Sequence, residues 1–117
     1  MKKQQNGRFN DLINKPKDLY HVSSDTGELI VKKIASSEDN GLKKSLLFTG
    51  DCYILDAGSE GSIYVWKGKE ASADERKGAV QNAEKFIEDH GYPAETKIVV
   101  IPENTDHPVF RQCFNEW

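Results

Sequence analysis

The stretch "DCYILDAGSEGSIYVWKG", residues 51–68, decides the fold of this chain. Its two halves are rich in Ile, Val, Tyr and Trp, which favour strands, and the "AGSEG" between them is typical of a turn. Both halves are apolar almost throughout, as is common in strands that are buried on both faces. The stretch therefore predicts a hairpin at the centre of a sheet.

A second hairpin is predicted just before this stretch. The segment "LYHVSSDTGELIVKKI" contains two strand-like runs, 19–22 and 29–34, around a Ser/Asp/Gly turn. The intervening segment "ASSEDNGLKKS", residues 35–45, is expected to form a charged loop.

A long amphipathic helix is predicted in "ASADERKGAVQNAEKFIEDHGY", residues 71–92. Ser72 is positioned to cap its start, and Gly91 lies close to its end. Apolar residues recur at one-face helical spacing, while the opposite face is polar. The apolar set is Ala79, Val80, Ala83, Phe86 and Ile87, and the polar set is Lys77, Gln81, Lys85, Glu88 and Asp89.

The C-terminal part supplies one more strand and a short helix. "TKIVVIPEN" predicts a strand ended by Pro102, and "HPVFRQCFNEW" places five apolar residues at helical spacing: Val109, Phe110, Cys113, Phe114 and Trp117. Strands, long helix, strand and short helix in this order predict an α+β fold with helices covering a mixed sheet. We expect residues 1–17 to be a polar extension or linker and residues 18–117 to be the domain.

The composition excludes several function classes. The chain has 117 residues and a net charge of −3, which is too small and too evenly spread for general nucleic-acid binding. No apolar run is long enough to span a membrane, and the N-terminus has no signal-peptide core. Cys52 and Cys113 match no zinc or redox spacing, and we expect both to be buried free thiols in a cytoplasmic protein.

The short motifs that suggest catalysis or metal binding are better explained as turns. "DTG" at residues 25–27 is the tripeptide of aspartic proteases, but it occurs once and has polar neighbours, so a hairpin turn explains it better. "DAGSEGSIYVWK" resembles a calcium-binding EF-hand loop. However, its twelfth position, which must be a glutamate in such a loop, is occupied by Lys67. The three histidines have neither metal-ligand spacing nor a nucleophile nearby. The sequence therefore predicts a protein that is not an enzyme.

Two acidic residues and a group of lysines remain open to more than one interpretation. Asp51 is either a turn residue that leads into a strand or a functional carboxylate. Glu75 lies three residues after Ser72, so it belongs to a capping box whether or not it has another role. Four lysines, Lys32, Lys33, Lys43 and Lys44, form either an anionic-lipid contact or, as we favour, a solvated surface.

Five blocks in the sequence together resemble the gelsolin, villin and severin family of actin regulators, and most closely the third repeat of its members. The blocks are "LYHVSSDTGEL", "GDCYILD", "IYVWKGKEASADERKGA", "AEKFI" and "HPVFRQCFNEW". The resemblance implies a five-stranded mixed sheet between a long and a short helix. It also implies a domain of an actin-binding protein that caps or severs filaments, with actin as its partner.

The resemblance further implies the calcium site that gelsolin-like repeats share. In this chain its ligands would be the Gly50 carbonyl, Asp51 and Glu75, all of which offer the hard oxygen atoms that calcium prefers. A second calcium site of the family uses an acidic residue late in the long helix, where this chain has Ile87, so that site is not expected.

A second function is compatible with the same resemblance. The outward face of the long helix, which we predict to be Lys77, Gly78, Gln81, Lys85 and Glu88, is poor material for an interface core. The alternative is therefore a calcium-regulated latch with little actin affinity of its own. Such a module would bind neighbouring repeats or phosphoinositides.

Overall fold

A computed structural model describes residues 16–24 and 27–117 of the chain. The strands within these residues are β1 (Asp18–Ser23), β2 (Ile30–Ser36), β3 (Cys52–Ala57), β4 (Ser62–Lys67) and β5 (Lys97–Pro102). The helices are α1 (Ala73–Asp89) and α2 (Pro108–Gln112). These elements and their order confirm the prediction from the sequence.

The five strands form one mixed sheet in the order β2-β1-β3-β4-β5. β1 pairs antiparallel with both β2 and β3, and β3 pairs antiparallel with β4. β5 lies parallel to β4, because the connection between them passes through α1 and returns to the same end of the sheet. The predicted central position of β3 is confirmed, and all six of its residues are buried.

Each face of the sheet carries its own hydrophobic core, because successive side chains along a strand point to opposite faces. Cys52 and Ile54 of β3 face α1, whereas Tyr53 and Leu55 face α2. The core between the sheet and α1 includes the buried residues Val22, Ile63, Val65, Ala79, Ala83 and Tyr92. The core between the sheet and α2 includes the buried residues Leu19, Trp66, Ile101, Phe110 and Phe114. The sheet is therefore enclosed between the long and the short helix.

The C-terminal helix differs from its prediction in length and in burial. α2 ends at Gln112, and only Phe110 and Phe114 of the predicted apolar set are buried. Val109 is 55% exposed and Trp117 is 48% exposed, so neither belongs to the core. Cys52 is buried as expected, whereas Cys113 is only half-buried because it follows the helix at the margin of its core; both thiols are free.

One further prediction needs correction, and the charged loop gains detail. Gly78 does not lie on the outward face of α1 but is buried, because the side chain of Leu29 covers it. The charged loop contains two short 3-10 turns, Ser37–Asp39 and Lys44–Leu46, the first of which Ser36 caps.

Some of the sequence predictions fall on residues outside the described part of the chain. These are residues 1–15 of the expected extension and two of the three residues of the "DTG" turn. The third, Gly27, has a positive φ of 86° and donates its N–H to the Ser24 carbonyl. Among the described residues, no helix has both the length and the apolar character needed to cross a membrane.

Candidate metal centre

Gly50 and Asp51 lie at the end of the sheet where β3 begins. A tight turn forms there because the Asp51 N–H donates to the Phe48 carbonyl at 3.1 Å. The next loop approaches closely, since the Gly68 N–H donates to the Asp51 carbonyl at 3.0 Å. A Cβ atom at Gly68 would overlap the carbonyl oxygens of Thr49 and Asp51, so only glycine allows this approach.

Glu75 lies in the first turn of α1, where it completes the predicted capping box. The Glu75 N–H donates to Ser72 Oγ at 3.1 Å, and Glu75 Oε1 accepts from the Ser72 N–H at 3.0 Å. The other carboxylate oxygen, Oε2, accepts two hydrogen bonds from Ser24, one from the N–H at 2.8 Å and one from Oγ at 3.1 Å. Glu75 therefore connects the start of α1 to the end of β1 while only 4% exposed.

These hydrogen bonds stabilise the ionised form of Glu75. Burial acts to raise the pKa of Glu75, but the hydrogen bonds from Ser72 and Ser24 outweigh it, so the pKa is lower than usual. Glu75 is therefore an anion at neutral pH, as a calcium ligand must be.

The lowered pKa of Glu75 predicts a loss of stability in acid. Because the folded pKa lies below the unfolded one, the stabilisation is complete above the unfolded value and is lost as the pH falls through the folded value. Denaturant titrations without calcium between about pH 3 and 6 should show a smaller loss for Glu75→Gln than for the wild type. Glu88→Gln, which changes an exposed acid of the same helix, should behave like the wild type. Equal losses in all three proteins would contradict the prediction.

Asp51 has a different partner from Glu75. Its Oδ2 lies 2.7 Å from His21 Nε2, and the His21 ring stacks on Tyr53 at 5.1 Å between ring centroids. No hydrogen bond joins Asp51 to Glu75, and no group of three or more His, Cys, Asp or Glu side chains suited to a metal is found, in either case among the described residues. Each acid is held separately by a residue from β1 or its end.

The carboxylate and carbonyl oxygens at this end of the sheet are of the kind that calcium prefers as ligands. Asp51 and Glu75 are both at least nine-tenths buried, and both are acceptor-only groups when ionised. Within the described residues, Asp51 Oδ1 and the Gly50 carbonyl accept no hydrogen bond that would occupy them. Calcium tolerates irregular arrangements of such oxygens and completes its shell with water.

The sequence did not reveal three residues that make side-chain contacts at this end of the sheet. His21 and Ser24 contact the acids directly, and Glu103 ties two neighbouring loops together. Glu103 Oε1 accepts from Thr49 Oγ1 at 2.6 Å and from the Lys69 N–H at 2.7 Å. A carboxylate directly after a strand is the only signal for Glu103 in the sequence, and it is too common to be diagnostic.

Asp56, the first residue of the rejected EF-hand motif, belongs to a separate network at the other end of β3. It is 1% exposed and accepts from the Tyr92 hydroxyl at 2.9 and 3.1 Å and from the Gly58 N–H at 3.0 Å. His90 Nδ1 lies 2.9 Å from its Oδ2. These contacts give Asp56 a structural role between the sheet and the end of α1.

The third histidine also has a structural role. His107 is the N-cap of α2, and its Nδ1 accepts the Phe110 N–H at 3.2 Å. Each of the three histidines thus has a partner within the fold.

Comparison with known proteins identifies relatives along most of the chain. A family model described as the gelsolin repeat matches residues 38–111. Gelsolin of Gallus gallus is 43% identical over 99 residues, which are 85% of this chain and 12% of that protein. The macrophage-capping protein of Homo sapiens is 40% identical over 99 residues, which are 85% of this chain and 28% of that protein. The chain thus spans less than a third of the length of either relative.

Two solved structures share the fold. A chain in the crystal structure of the Thorarchaeota 2DGel3/rabbit actin complex has a TM-score of 0.70 and 26% identity, over 84% of this chain and 45% of that chain. A chain in the crystal structure of the Thorarchaeota ProGel/rabbit actin complex has a TM-score of 0.65 and 17% identity, over 82% of this chain and 96% of that chain. At the lower identity the likeness concerns the fold alone.

Proposed function

Because this chain belongs to the gelsolin repeat family, we propose that it is a calcium-binding, non-enzymatic domain of a cytoplasmic actin-binding protein that caps or severs filaments. The observation that carries the proposal is the 40% identity, over 85% of the chain, to a protein named for capping. The likeness to a solved chain from a complex with actin supports actin as the partner.

The proposed calcium site uses the Gly50 carbonyl and the carboxylates of Asp51 and Glu75. Calcium supplies a double positive charge that offsets these two buried acids when it binds. Asp51 precedes β3 and Glu75 lies in the first turn of α1, so shared coordination would fasten the helix to the sheet. Removal of calcium is therefore expected to loosen this junction.

Binding to filamentous actin is the test that decides the function. The 117-residue chain should pellet with filaments when calcium is present, with an affinity roughly five- to a hundredfold higher than in chelator. Glu75→Gln should behave in calcium as the wild type does in chelator. Pelleting that is equal with and without calcium would remove calcium from the proposal, and no pelleting even at high concentration would favour the alternative function.

The alternative is a latch that binds neighbouring repeats or phosphoinositides, and the polar face of α1 favours it. Lys77, Gln81, Lys85 and Glu88 are all exposed, which leaves no apolar core for an interface on that face. Three of the four lysines that we weighed as a lipid contact, against the favoured solvated surface, have partners within the fold. Lys33 lies 3.6 Å from Asp18, Lys43 lies 3.7 Å from Glu116, and Lys44 lies over the Trp117 ring. Between the two latch partners, these contacts favour neighbouring repeats over lipid.

A further inference from the structure

The hydrogen bonds at Glu75 leave too few acceptor positions for calcium to bind both of its oxygens. An ionised carboxylate has about four lone-pair positions, two on each oxygen. Ser24 fills both positions on Oε2 with its N–H and its hydroxyl, whereas the Ser72 N–H fills one position on Oε1. Bidentate coordination needs one position on each oxygen. One hydrogen bond from Ser24 must therefore break before calcium binds Glu75 in this way.

The hydroxyl of Ser24 is the donor that can leave more easily. Its hydrogen bond to Oε2 is longer, at 3.1 Å against 2.8 Å for the N–H. A hydroxyl moves away by rotation about a single side-chain bond, whereas the N–H can move only with the backbone. The Ser24 backbone is further held because its carbonyl accepts the Gly27 N–H at 2.9 Å.

We propose that the Ser24 hydroxyl competes with calcium for Glu75 and thereby lowers the calcium affinity of this repeat. The inference rests on the proposed calcium site and adds the residue that sets its affinity. Ser24 directly follows β1, whose His21 holds the other candidate acid, Asp51. The end of β1 thus supplies a partner for each acid, and Glu75 exchanges its hydrogen bond from the Ser24 hydroxyl for a bond to calcium.

Calorimetric titration of the 117-residue chain with calcium tests the proposal. Ser24→Ala should bind calcium roughly ten- to a hundredfold more tightly than the wild type, because one hydrogen bond to a charged group no longer has to be broken. Ser24→Thr, which keeps the hydroxyl, should restore an affinity close to that of the wild type. Ser59→Ala, which removes a hydroxyl beyond the opposite end of β3, should leave the affinity unchanged.

Thermal melting without calcium separates competition from simple damage. Ser24→Ala should melt below the wild type in chelator and yet bind calcium more tightly. A purely structural defect would weaken both properties. Unchanged affinity in Ser24→Ala would overturn the proposal, and weaker binding would also overturn it, because a competing hydroxyl cannot strengthen calcium binding.

Glu75→Gln distinguishes failure of this inference from failure of the proposed site. If the wild type binds calcium and Glu75→Gln does not, while Ser24→Ala binds like the wild type, only the competition is overturned. If Glu75→Gln binds as well as the wild type, the site itself is wrong. If neither the wild type nor Ser24→Ala binds calcium, both proposals are overturned.

Discussion

Asp56→Ala is expected to lower the free energy of unfolding by about 3–5 kcal/mol, because the substitution breaks a buried, charged hydrogen-bond network. The Tyr92 hydroxyl, the Gly58 N–H and His90 would each lose their contact with the Asp56 carboxylate. The pKa of Tyr92 is raised, mainly by burial and to a smaller extent by the hydrogen bond to Asp56. Its hydroxyl is therefore a donor at neutral pH. In thermal melts the loss corresponds to a fall in Tm of roughly 10–20 °C.

Two variants control this experiment. Asp56→Asn keeps the shape and one acceptor oxygen, so it should be less destabilising than alanine. Asp39→Ala, at an exposed position, should change stability by no more than about 0.5 kcal/mol. A loss below about 1 kcal/mol in Asp56→Ala would show that the network contributes little to the fold.

Calcium at about a hundred times its dissociation constant is expected to raise the free energy of unfolding by roughly 2.7 kcal/mol, and Glu75→Gln is expected to abolish this gain. Glutamine still completes the capping box with Ser72, but it is a poor calcium ligand. The variant therefore separates the role of Glu75 in the helix from its role toward the metal. Thermal melts in calcium and in chelator measure both effects.

Glu88→Gln is the matched control for this comparison, because Glu88 is an exposed acid of the same helix. It should keep the full calcium-dependent stabilisation. Retention of the stabilisation in Glu75→Gln as well would show that calcium binds this chain at a site without Glu75.

The sequence alone determined the strands, the long helix and its capping box. Runs of strand-forming residues, helical spacing and the Ser72–Glu75 pair are encoded by residues close together in the chain, and the structure confirms the elements that they predict. The sequence also supplied Gly50, Asp51 and Glu75 as candidate ligands, through the resemblance to a family of repeats. Their assignment as calcium ligands stays a prediction.

Only the tertiary structure decided which residues hold those acids. Ser24 and Glu75 are 51 residues apart, His21 and Asp51 are 30 apart, and Thr49 and Glu103 are 54 apart. The burial of Gly78 beneath Leu29 likewise depends on where a distant segment lies. Local patterns fix an element because residues close together in the chain set its backbone conformation and the face that it buries. A contact between distant residues exists only once the whole sheet has set the strand order, and no local pattern encodes that order.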